Sequence, residues 1–154
     1  MKNAMVMQSP IGLLTLVEED GALAEIRFGE CVQDETIRQT PLLQRTMQEL
    51  SEYFSGARKT FSIPLRPSGT AFQRKCWDAL LRIPYGEIRS YAQQAQMIGN
   101  PKACRAVGMG NHLNPIPILI PCHRVVGKNG MLTGYAGGLS IKEKLLTLER
   151  MNHP

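Results

Sequence analysis

Between positions 114 and 127 the chain reads Asn-Pro-Ile-Pro-Ile-Leu-Ile-Pro-Cys-His-Arg-Val-Val-Gly. Prolines at 115, 117 and 121 exclude a helix there, because each removes a backbone donor and fixes φ. The apolar run Ile116–Ile120 must nevertheless be buried, and it is far too short for a ~20-residue membrane span. The segment is therefore expected to run extended through a core, as a Pro-bounded strand that ends abruptly at Cys122 and His123. Whatever fold the chain adopts must wrap around it.

The sequence before this segment is helical. Thr70 is placed to cap a helix carrying Phe72, Cys76, Leu80 and Ile83 on one face, ended by Pro84-Tyr85-Gly86. Ser90 caps a short helix from Tyr91 to Ile98, with Ala92 and Ala95 as small packing residues. Gly99-Asn100 makes a turn, and Pro101 is expected to start a second helix running to about Gly110, with Lys102 and Arg105 on it. Short helix, glycine turn, second helix is the pattern of a helix-turn-helix. After the segment, Lys128-Asn129-Gly130 reads as a turn and Gly134-Tyr135-Ala136-Gly137-Gly138 as a loop. Ser140 to Glu143 reads as a capping box opening a last helix, with Ile141, Leu145 and Leu148 facing the core and Glu149 near its end.

The first half differs. Residues 4–8, 13–19 and 22–28 read as strands, the last two joined by an Asp20-Gly21 hairpin turn. Thr40-Pro41 opens a helix with Leu43, Met47, Leu50 and Phe54 on one face, closed by Gly56; residues 58–65 are expected to add a strand. These elements predict a small α+β domain over 1–66, a linker at Arg66-Pro67-Ser68-Gly69, and a helical domain over 67–154.

Charge divides at the same place. Residues 1–66 hold 7 Lys+Arg against 9 Asp+Glu, a net of −2; residues 67–154 hold 11 against 4, a net of +7. A basic half suits a polyanion, most often nucleic acid, although solubility alone would also account for it. With 43% hydrophobic and 20% charged residues, the composition excludes a disordered chain, a collagen-like repeat and a coiled coil. No apolar leader follows Met1-Lys2-Asn3, so a cytoplasmic location is expected.

The cysteines are Cys31, Cys76, Cys104 and Cys122, and no CxxC pair or finger spacing with His112, His123 or His153 exists. Cys76 and Cys104 fall in helical packing patterns, where cysteine acts as a small hydrophobe. Cys122 is followed directly by an imidazole and a guanidinium, groups that favour the nucleophilic thiolate. A core cysteine beside a surface histidine would give the same tripeptide.

Ile-Pro-Cys-His-Arg-Val at 120–125 resembles the active-site signature of the O6-alkylguanine-DNA alkyltransferases, or methylated-DNA–protein-cysteine methyltransferases. Arg105-Ala106-Val107-Gly108, Asn114-Pro115, Gly134-Tyr135-Ala136-Gly137-Gly138 and Glu149 stand at that family's spacing from the cysteine. The resemblance implies a ribonuclease H-like N-terminal antiparallel-sheet and helix domain, then a winged helix-turn-helix domain. It also implies a direct-reversal DNA repair protein without metal or cofactor. Such a protein flips O6-alkylguanine (and O4-alkylthymine) out of double-stranded DNA and moves the alkyl group irreversibly to Cys122, once per molecule. The implied partner is duplex DNA carrying the lesion, met by a monomer able to cluster along DNA, with no membrane.

By the same resemblance, His123 takes the thiol proton through a water, Glu149 holds the imidazole, Asn114 braces the turn bearing Cys122, and Tyr91 donates to the flipped guanine. Val125, Tyr135, Ala136 and Gly137 line the pocket. Some members carry serine at Ala136, so a side-chain hydroxyl contact there is lost while the backbone donor remains. Arg105 replaces the extruded base, and Asn100, Lys102 and Lys128 contact DNA. A non-catalytic helix-turn-helix lesion sensor and a cysteine hydrolase built on Cys122, His123 and Glu149 are the competing readings. The presence of Cys122 argues against the first, and the basic half with Arg105 against the second.

Overall fold

The computed structural model describes residues 1–153, which form two compact units, Met1–Ser68 and a second from Gly69 on. In the first, β1 (Lys2–Ser9), β2 (Gly12–Glu19) and β3 (Ala22–Phe28) make an antiparallel meander. Asp20 and Gly21 both take positive φ (51° and 82°), the conformation that a tight two-residue hairpin requires. A fourth strand, β4 (Thr36–Ile37), is only two residues long and pairs in parallel with β1, so the sheet order is β3-β2-β1-β4 and the sheet is mixed.

Helix α1 (Pro41–Phe54) is capped by Thr40, whose hydroxyl accepts from the Leu43 N–H, and Gly56 follows its end at φ 83°. It buries Leu43, Leu50 and Tyr53 and packs against β1, β2 and β3 of the sheet. The strand expected over 58–65 reduces to one bridge, Leu23 to Leu65. Pro64 and Pro67 flank that bridge, and neither has an N–H to extend a ladder.

In the second unit, α2 (Ala71–Leu81) and α3 (Tyr91–Met97) both start with capping boxes, Thr70 with Gln73 and Ser90 with Gln93. Helix α4 (Cys104–His112) begins later than the sequence suggests. Pro101 and Lys102 form a turn closed by the Ala103 N–H on the Asn100 carbonyl, so Lys102 precedes the helix instead of riding on it. The α3–α4 pair is locked from inside: Gln94 and Asn111 exchange two amide hydrogen bonds of 2.9 and 2.7 Å, both side chains buried. Trp77 donates its indole N–H to the Gly110 carbonyl. At Gly110 a Cβ would lie 3.1 Å from the Cys76 sulfur, so α2 and α4 approach closely only because that side chain is missing. Ala92, expected to pack, is exposed, and Gln94 takes the buried position.

The proline segment is buried as expected but is not a strand. Its three prolines leave too few donors for a ladder, and it holds a single bridge, Pro117 to Ile120, with Ile118 at φ 77°. Asn114 supplies the missing order: its amide N–H donates to the Ile120 carbonyl (2.8 Å) and its oxygen accepts from the Ile116 N–H (2.9 Å). Cys122–Arg124 is one 3₁₀ turn, followed by β6 (Val125–Val126), which pairs in parallel with β5 (Arg89–Ser90). Helix α5 (Leu139–Asn152) closes the unit. Its N-cap is Gly138 at φ 98° with no side-chain cap, so Ser140 sits inside the first turn and the expected capping box is absent. The same helix buries Lys142, Leu145 and Glu149.

Candidate active site

Cys122 and His123 lie on one tight turn, 8% and 0% exposed. The turn is held from both sides, by Asn114 behind it and by the β5–β6 ladder after it. Across from it, α5 presents Glu149, 1% exposed. His123 Nε2 lies 2.6 Å from Glu149 Oε2.

A third member of the cluster escaped the sequence reading. Arg124 was expected to act as positive charge beside the thiol. Instead its Nε donates to Glu149 Oε1 (2.8 Å), one terminal nitrogen to Glu149 Oε2 (3.1 Å), and the other to the Ile83 carbonyl (2.7 Å). Its guanidinium carbon also stands 5.7 Å from the centre of the Tyr85 ring. Burial by itself would raise the Glu149 carboxyl, but its hydrogen bonds and the Arg124 charge outweigh that and hold it well below the usual carboxylate range.

This fixes the histidine tautomer. An ionised carboxylate only accepts, so Nε2 carries the hydrogen. Burial pushes the imidazole pKa down despite the opposing pull of Glu149, so the ring is neutral and its Nδ1 holds a lone pair. That Nδ1 is buried and has no hydrogen-bond partner among the described residues. The cluster thus ends on a base.

Burial pushes Cys122 up to about 11, opposed by the Asn114 amide and by the charge of Lys142. Lys142 is the second residue that sequence reading missed. It is fully buried, and its ammonium donates to the carbonyls of Val125 (2.6 Å) and Thr133 (2.8 Å). Among the described residues no carboxylate lies within ion-pair distance of it. The available signal was the spacing of Lys142, Leu145 and Glu149, which places a lysine in the buried stripe of α5.

The other expected residues divide by burial. Val125 and Tyr135 are buried, Gly137 half-buried and Ala136 exposed on the loop before α5. Burial raises the Tyr135 hydroxyl well above its ordinary value. Tyr91, half-buried at the start of α3, has its hydroxyl 3.1 Å from Thr133 Oγ1, and its ring lies over Gly108 of α4. Asn100, Lys102, Arg105 and Lys128 all stand at the surface, on the turn before α4, on its first helical turn and on the turn after β6. Among the described residues no three His, Cys, Asp or Glu side chains come together as a metal site. Among the described residues no helix is long and apolar enough to cross a membrane.

Comparison with known proteins identifies the family. Residues 71–151 match the family model for the 6-O-methylguanine DNA methyltransferase DNA binding domain, and residues 4–67 that for its ribonuclease-like domain. The constitutive methylated-DNA–protein-cysteine methyltransferase of Bacillus subtilis is 48% identical, over 95% of this chain and 94% of its own length. The Methanosarcina acetivorans methylated-DNA–protein-cysteine methyltransferase is 46% identical, over 94% and 96%. Among solved structures, Mycobacterium tuberculosis O6-methylguanine methyltransferase superimposes with a TM-score of 0.89 at 40% identity, covering 100% of this chain and 96% of that one. The complex of the M. tuberculosis protein with DNA gives 0.91 at 42% identity, covering 99% and 95%. With both of its units matched and relatives this similar over nearly their whole length, the chain belongs to the 6-O-methylguanine DNA methyltransferase family.

Proposed function

We propose that this protein repairs DNA by direct reversal, moving the alkyl group of O6-alkylguanine to its own Cys122. The observation that carries this reading is the chain Arg124–Glu149–His123, which ends on a buried basic nitrogen of the residue that follows the buried Cys122. His123 Nδ1 takes the Cys122 proton through one water, and Glu149 stabilises the resulting imidazolium. The thiolate then attacks the alkyl carbon: the S–C bond forms, the C–O6 bond breaks, and its electron pair goes to the guanine. Tyr91 donates a hydrogen bond to the leaving base, because developing charge must be met for it to leave. The product is a thioether that water does not cleave, so each molecule acts once. Asn114 keeps the Cys122 turn rigid, Val125, Tyr135, Ala136 and Gly137 line the pocket, and Lys128, Asn100 and Lys102 meet the DNA backbone. The protein acts as a monomer on duplex DNA.

The test is a mass measurement after incubation with a duplex carrying one O6-methylguanine. One methyl group per protein, located on the Cys122 peptide, supports the transfer. Binding without any adduct would make the protein a lesion sensor, and catalytic turnover would make it a hydrolase.

Arg105 gives a second test, through extrusion. If it fills the gap left by the flipped base, Arg105→Ala slows transfer from duplex DNA strongly and from a free alkylated base little. Extrusion costs a few kcal/mol of stacking and pairing, and the free base has no such cost. A mere phosphate contact would instead weaken duplex binding with a change of about one unit in the salt slope. Equal loss on both substrates would place Arg105 in support of the pocket and remove it from the extrusion step.

A further inference from the structure

We infer that Thr133 is a positioning residue for Tyr91, aiming the tyrosine hydroxyl hydrogen at the substrate; this rests on the proposed alkyl transfer and on Tyr91 as donor. Among the described residues the Tyr91 hydroxyl finds its hydrogen-bond partners on Thr133. Thr133 Oγ1 donates to it at 3.1 Å. The Tyr91 hydroxyl in turn has the Thr133 carbonyl as acceptor at 3.5 Å, the outer limit of a hydrogen bond. That carbonyl already has a stronger donor, since the Lys142 ammonium sits on it at 2.8 Å.

A phenol has one hydrogen and accepts through its oxygen. With Thr133 donating to that oxygen, the tyrosine cannot turn its hydrogen toward Oγ1. At 3.5 Å from the carbonyl, which also accepts from Lys142 at 2.8 Å, the hydrogen is only weakly retained there. The Tyr91 hydrogen is therefore oriented but not committed, the state a donor needs before a substrate acceptor arrives. Lys142 also fixes the Thr133 backbone to Val125, so the threonine is anchored relative to the Cys122 turn. The ring faces Gly108 of α4, where an added Cβ would lie 3.7 Å from it. Thr133 is exposed and contributes nothing to the core, which separates this role from a structural one.

The experiment compares single-turnover transfer from an O6-methylguanine duplex by wild type, Thr133→Val, Thr133→Ser, Tyr91→Phe and the Thr133→Val/Tyr91→Phe double variant. Valine keeps the shape and removes the hydroxyl, and one neutral hydrogen bond corresponds to a rate loss of about 3- to 10-fold. Thr133→Ser restores the rate. In the Tyr91→Phe background Thr133→Val has no further effect, because the phenol oxygen it serves is gone. Wild-type rate in Thr133→Val, or an equal loss in both backgrounds, overturns the inference while leaving the transfer itself standing. Absence of Cys122 alkylation in the wild type would overturn the transfer reading instead.

Discussion

Cys122→Ser folds, binds duplex DNA as the wild type does, and transfers no alkyl group. Serine differs from cysteine by one atom, and the turn that carries it is held by Asn114 through backbone atoms of residues 116 and 120, so the fold has no reason to change. The chemistry does. Burial already pushes the thiol up to about 11, which leaves roughly 1 molecule in 10⁴ as thiolate at pH 7 without help. In the proposed transfer Nδ1 of His123 accepts the thiol proton as the sulfur attacks, so no standing thiolate is required. It cannot do so for a hydroxyl, whose unperturbed pKa lies far above the thiol reference of ~8.5 and which the same burial pushes higher still. The oxygen is also a poorer match for an sp³ carbon than soft sulfur. Mass spectrometry after incubation with a methylated duplex, alongside a binding titration, reads both halves of the expectation. Methylated Cys122→Ser protein formed at the wild-type rate would end the mechanism.

What could be read directly from the chain was whatever is written locally. Thr40, Thr70 and Ser90 announce their helices because a cap is a contact three residues long. Cys122, His123 and Glu149 were legible through a motif and its spacing. The failures share a different cause. Ser140–Glu143 has the letters of a capping box, but Gly138 at φ 98° lets the chain enter the helix two residues earlier, and no side-chain pattern reports that. Pro101 has the fixed φ of a first helical residue, yet the turn at Asn100 claims it first. The strand expected before Cys122 fails because three prolines that exclude a helix also deny a ladder its donors.

Arg124 and Lys142 are the more instructive omissions. Each looked like an ordinary charge, and each is buried because of partners 9 to 41 positions away in the chain: Ile83 and Glu149 for Arg124, Val125 and Thr133 for Lys142. A buried cation is recognised by its acceptors, and acceptors that are backbone carbonyls leave no trace in the side-chain sequence. Lys142 therefore links the Cys122 turn to the pocket loop through atoms that every residue has.

Glu149→Gln should be the most damaging single change after loss of the cysteine, and it should damage stability and transfer together. The carboxylate has two oxygens and each is shared. Oε1 accepts from Arg124 Nε and, at 3.3 Å, from the Gly86 N–H, while Oε2 accepts from His123 Nε2 and an Arg124 terminal nitrogen. A glutamine has one acceptor and two donor hydrogens. Placed with its oxygen toward His123, it sets its NH₂ against the Arg124 Nε–H. Turned the other way, it sets NH₂ against His123 and forces the hydrogen onto Nδ1, which then cannot accept the thiol proton. Either orientation also leaves the Arg124 guanidinium buried without a counter-charge, and breaking such a pair from one side costs about 3–5 kcal/mol. Loss of a positioned general base slows transfer by about 10²- to 10⁴-fold. The pH dependence separates this from simple unfolding. The Glu149 carboxyl is depressed in the folded state, so its stabilisation is present above the unfolded value of ~4.3 and is lost as pH falls through the folded one. Urea unfolding should therefore show the full gap between wild type and Glu149→Gln at pH 7, narrowing below about pH 4 as the carboxyl of the unfolded wild-type chain takes up a proton that the folded one does not. A gap that stayed constant with pH, or a variant that kept the wild-type rate at pH 7, would remove Glu149 from the relay.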